Sequence, residues 1–75
     1  MTDHVVVISG WRPSARKVWA ARTIRDHVGL DLAGAKRMVD VALAGGLVHL
    51  EVQTAAKAKE LADKLQELDF DASVE

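Results

Sequence analysis

The side chains best suited to metal binding or proton transfer in this sequence are His4, His27 and His49. No two of them stand at the spacing of a zinc-ligand pair, and no cysteine is present to complete a thiolate site. Periodicity places them on a strand, a helix end and another strand, which predicts structural roles at or near the surface. Ser9, Ser14 and Ser73 lack the G-x-S-x-G setting of a nucleophile elbow. Gly29, Gly34, Gly45 and Gly46 form neither G-x-G-x-x-G nor a loop closing in G-K-[ST], so no phosphate cradle is expected. Glu60, Asp63 and Glu67 fall on the wet face of a helix. Nothing in these residues points to catalysis. The expectation is a non-enzymatic protein that needs no cofactor and no metal.

The chemistry that remains is recognition. Lys17, Val18, Ala21, Arg22 and Arg25 follow i, i+1, i+4, i+5 and i+8, one continuous helical face. Trp19, Ala20, Thr23, Ile24 and His27 repeat that spacing on the neighbouring face, which is expected to be the core side. Val18 is then an apolar residue set among cations. Such a face suits an acidic protein helix, because charge steers the encounter and the apolar centre is desolvated on contact. The same face can meet phosphates, but that binding would be electrostatic and non-specific. No aromatic-rich strand or recognition helix supports a nucleic-acid role. Aromatic residues are scarce. Trp19 is expected to be partly buried in the core. Trp11 sits in Gly10-Trp11-Arg12-Pro13-Ser14, a stretch with the glycine and proline of a loop. An exposed loop Trp beside an Arg has the composition of an interface hot spot.

Charge is segregated along the chain. From Arg12 to Arg37 there are seven basic residues against two acidic ones, an excess of five positive charges. From Met38 onward there are eight acidic residues against three lysines, an excess of five negative charges. The basic stretch invites an acidic partner.

The elements that must position these residues follow from local patterning. His4 to Ser9 reads as a strand, since Val5, Val6, Val7 and Ile8 are consecutive and β-branched. Ser14 is expected to cap a helix from Ala15 to His27 or Val28. Gly29 suits the left-handed position past that helix, and Asp31 suits the cap of the next, Leu32 to Ala44. Leu32, Ala35, Met38, Val39, Ala42 and Leu43 form its apolar stripe. Leu47 to Val52 alternates as a half-exposed strand. Thr54 is the expected cap of a third helix, Ala55 to Leu68, and Phe70 to Val74 alternates as a last strand. The expected architecture is α+β, a single domain spanning 1-75. Its order is β-α-α-β-α-β, in two layers, with a three-stranded sheet carrying three helices on one face. At 75 residues such a chain buries only about 60% of the surface its unfolded form exposes. No run approaches the roughly 20 apolar residues of a membrane span, and no signal peptide is evident, so a soluble, cytoplasmic protein is expected.

Lys17-Val-x-x-x-Arg22-x-Ile-Arg25, followed by Val28-Gly-Leu-x-Leu-x-x-Ala35-Lys36-x-Met-Val-Asp40, resembles the C-terminal domain of the bacterial ribosomal stalk protein (L-seven/L-twelve). That family carries K-V-x-V-I-K-x-V-R and then T-G-L-G-L-K-E-A-K-x-L-V-E. The resemblance runs more weakly through Val52-Gln53-Thr54, the alanine-rich third helix and the last strand. It implies the same β-α-α-β-α-β order and a role in translation, recruiting translational GTPase elongation factors through the first two helices. By position, the contact residues it implies are Lys17, Val18, Arg22, Arg25 and Lys36. Ala21 stands where the family has a larger aliphatic residue, Asp31 replaces a glycine, and Gly34 replaces an acidic residue. Trp11 and Trp19 are not family features. The stalk protein also carries an N-terminal dimerisation segment and a hinge. This sequence reaches its first strand almost at once, so a full-length chain would be expected to work without that anchor. The ClpS-type adaptor of the Clp protease shares the broad topology, but its acidic substrate-binding residues have no counterpart here. A stand-alone adaptor that reuses the fold for a non-ribosomal partner, centred on Trp11, is the alternative expectation.

Overall fold

Val5 to Ile8 form the middle of the sheet, where β-branched side chains fit a pleated surface covered by helices. A computed structural model gives the structure and describes residues 4–75. Its elements are β1 (Val5–Trp11), α1 (Lys17–Val28), α2 (Leu32–Leu43), β2 (Val48–Glu51), α3 (Ala55–Glu67) and β3 (Phe70–Val74). The sheet order is β2-β1-β3, with β1 antiparallel to both neighbours. The register sets Val6 opposite Leu50 and Ile8 opposite Val48 and Ala72. These residues are buried, whereas His49, Glu51, Asp71 and Ser73 on the other face are exposed. All three helices therefore cover one face, as the alternation in the sequence required. Phe70, Ile8, Ile24, Leu50, Leu61 and Leu65 are the largest fully buried side chains, and no polar or charged residue is buried among the described residues. Leu32 and Met38 pack at the rim of this core rather than inside it.

β1 is longer than its sequence suggests. Its ladder with β3 steps from Ile8↔Ala72 to Gly10↔Asp71, so Ser9 is an extra residue and the strand bulges there. The pairing then continues to Trp11↔Phe70, and the Arg12 amide donates to the Asp69 carbonyl at 2.9 Å. Trp11 thus belongs to the central strand, not to a loop. Gly10 marks a close approach: a Cβ there would lie 2.8 Å from Asp71 Oδ2. The glycine that reads as loop punctuation instead makes room for the neighbouring strand.

α1 also starts later than expected. Ser14 does not cap it. The Ser14 hydroxyl donates to Asp69 Oδ2 at 2.7 Å, and the Arg16 amide donates to the Leu68 carbonyl at 3.1 Å. Residues 12–16 are thereby tied to the junction of α3 and β3, and Arg16 occupies the cap position without a side-chain bond. The other local signals act as their chemistry suggests. Gly29 has φ 84°, and its amide donates to the Arg25 carbonyl. Asp31 accepts from the Gly34 amide at 2.7 Å, and Thr54 accepts from the Lys57 amide at 3.1 Å.

Candidate functional site

The hairpin of α1 and α2 is built around small side chains. Ala20, Ala21 and Ile24 are buried in α1, and Ala35, Val39 and Ala42 in α2. The buried face of α1 is therefore rotated by one residue from the expected one. Ala21 is only 1% exposed, whereas Trp19 is 56% exposed. Alanine allows a close approach between elements, and indole at position 19 is too large for the same space. Trp19 lies instead beside a second hollow between α1 and α3, lined by Arg16, Thr23, Lys64, Glu67 and Leu68.

Close packing of α1 on α2 leaves a shallow groove of about 140 Å³ on the outer side. Lys17, Val18 and Ala21 line it from α1, and Lys36, Val39 and Asp40 from α2. Lys17 opens α1, at the end away from the connecting turn. Lys36 lies in the first half of α2, nearer that turn. Between them runs an apolar strip of Val18, Ala21 and Val39. Val18 is 59% exposed, so its isopropyl group is presented to solvent. Among the described residues, neither Lys17 nor Lys36 takes part in an ion pair.

The other singled-out residues lie elsewhere. Arg22 and Arg25 do not line the groove. The Arg22 guanidinium carbon is 5.5 Å from the centroid of the Trp19 ring, a cation–π contact. Arg25 pairs with its neighbour Asp26 at 3.2 Å. Trp11 sits at the end of β1, 41% exposed, and is not part of the groove. Sequence reasoning missed Val39 and Asp40 as groove residues. Val39 was legible as a stripe residue of α2, and Asp40 stands one helical turn after Lys36, so both follow once the groove between the helices is considered.

Two histidines gain acidic neighbours that are distant in sequence. His27 Nδ1 meets the Thr23 carbonyl at 2.8 Å, and its Nε2 lies 3.3 Å from Glu60 Oε1, joining α1 to α3. His49 Nε2 lies 3.9 Å from Glu75 Oε2 on the open face of the sheet. Neither pair is near the groove residues in sequence or by contact, and each holds two elements together. No protein-family model, curated protein or solved structure matches the chain.

Proposed function

We propose that this chain is a non-enzymatic protein-interaction module that docks an acidic or amphipathic helix along the groove between α1 and α2. The observation that carries the reading is the groove itself, where Val18, Ala21 and Val39 form an apolar strip between the unpaired Lys17 and Lys36. Opposite charge on a partner would be steered to the two lysines, and its apolar side would be desolvated over the strip. The resemblance to the stalk C-terminal domain names the partner class, translational GTPase elongation factors met in the cytoplasm. Lys17, Val18 and Lys36 would form the contact, with Arg22 and Arg25 adding to the field from the same helix.

The test is a titration of labelled elongation factors against the wild-type chain and an Arg22→Glu/Arg25→Glu variant, with Lys17→Glu/Lys36→Glu beside it. Binding by the wild type that weakens in both variants supports the reading. Equal binding by all three, or binding by none, sinks the GTPase assignment. The second reading, a stand-alone adaptor for another partner, draws on the 41% exposure of Trp11 at the far end of β1. It predicts loss of captured partners in Trp11→Ala while the lysine variant keeps them.

A further inference from the structure

Ala21 is the only residue of the groove that is both small and central. Its methyl group forms the floor, and Val18, Lys36 and Val39 stand around it. Val18 and Ala21 are three residues apart on α1, and Lys36 and Val39 are three apart on α2. Residues at that spacing share a helix face, so the four enclose a hole of the kind that receives a knob from a facing helix. The space is about 140 Å³. That is close to the roughly 150 Å³ of an apolar cavity known to accept a benzene-sized group. It is well below the roughly 300 Å³ at which pockets for drug-sized ligands begin. One side chain fits; a cofactor or metabolite does not.

We infer that the groove is a socket for a single bulky apolar side chain, Leu or Phe, presented by a helix that carries carboxylates on either side of it. This rests on the docking reading above and adds what the partner must present. The flanking acids follow from charge complementarity, since Lys17 and Lys36 occupy opposite ends of the groove and lack partners among the described residues. The central position of the partner must be apolar rather than acidic. Asp40 lines the groove beside Val39 and would repel a carboxylate placed there. Ala21 then sets specificity: its small size creates the hole, and any larger residue would fill it from below.

The probe is a set of fluorescein-labelled helical peptides of one acidic host sequence, differing only at a central guest position of Ala, Val, Leu or Phe. Each is titrated against the wild-type chain and against Ala21→Leu, with Ala21→Val as the second variant should the first fail to give a cooperative thermal transition. Wild type is expected to bind the Leu guest about tenfold more tightly than the Ala guest, given the added methylenes and incomplete enclosure. In the Ala21 variant the preference for a large guest should vanish, while affinity for the Ala guest stays within about twofold. Equal affinity of wild type for all guests overturns the socket and leaves helix docking intact. A preference for Leu that survives in the Ala21 variants also overturns it. Binding by none of the peptides removes both the socket and the docking reading. A single-stranded oligonucleotide that binds more tightly than every peptide replaces the helix with a phosphate backbone as occupant, which overturns the proposal too.

Discussion

Reversing Lys17 and Lys36 together gives the sharpest measure of whether the groove works by charge. Each lysine is exposed and lacks an ion-pair partner among the described residues, so Lys→Glu breaks no internal bridge. Two unit charges 4 Å apart in water interact by about 1 kcal/mol. At 0.15 M salt, a Debye length of about 8 Å reduces this to roughly 0.6 kcal/mol. Reversal turns attraction into repulsion of the same size, a swing of about 1.2 kcal/mol per site and about 2.4 kcal/mol for two. That corresponds to about a 50-fold loss of affinity for a helix with one carboxylate against each lysine. At 1 M salt the Debye length falls to about 3 Å, and the loss shrinks to roughly sixfold. Arg25 provides the contrast: it already pairs with Asp26 at 3.2 Å, so Arg25→Glu should cost less than either lysine reversal. Fluorescence anisotropy of a labelled acidic helical peptide, titrated at both salt concentrations, reads all of these values. A loss under threefold at 0.15 M, or a loss that does not shrink at 1 M, refutes the charge argument.

Stability measurements check the architecture that holds the groove. Gly29→Ala meets no steric obstacle but must adopt φ 84°, so chemical denaturation should show a loss of roughly 1 kcal/mol from backbone strain alone. Asp31→Ala removes a helix cap and should cost about 1 kcal/mol with reduced helical circular dichroism. Ser14→Ala should also cost about 1 kcal/mol through the lost Asp69 bond, but with helical signal unchanged, because Ser14 caps nothing. Phe70→Ala should cost about 3–5 kcal/mol as a core cavity. Trp19→Ala should cost clearly less in the same denaturation assay, and Trp19 alone, in a Trp11→Phe background, should be readily quenched by iodide.

The sequence carried the order of elements because its strongest signals are local. Gly29, Asp31 and Thr54 do in the structure what their side chains allow within a few residues of chain. The alternation of Val48 to Glu51 and of Phe70 to Val74 likewise needs only a two-residue period to choose a face. What could not be read depended on distant partners. Ser14 leaves its local role for Asp69, and Trp11 joins β1 because a bulge at Ser9 restores its pairing with Phe70. The face of α1 was off by one residue because an Ala-rich helix offers little contrast: Ala20 and Ala21 are equally apolar. The partner helix, whose own buried residues are mostly small, decides that both are buried. Of the proposed contact residues, Lys17, Val18 and Lys36 converge on one groove, since each is fixed by its place on a regular helix. Trp11 does not, because its position is set by the sheet.

The pairing of β1 with β3 ties residues 5–11 to residues 70–74. Terminal segments of most domains fray independently at little cost. Here neither can. Lifting Phe70–Val74 strips hydrogen bonds from the central strand, and lifting Val5–Trp11 separates both of its neighbours and splits the sheet in two. Partial opening at either extreme therefore approaches the free energy of losing the whole fold. The hairpin of α1 and α2, whose connection lies on the opposite stretch of chain, is the segment left free to adjust. The molecule is rigid where its sequence extremes meet, and whatever compliance it has is concentrated beside the groove.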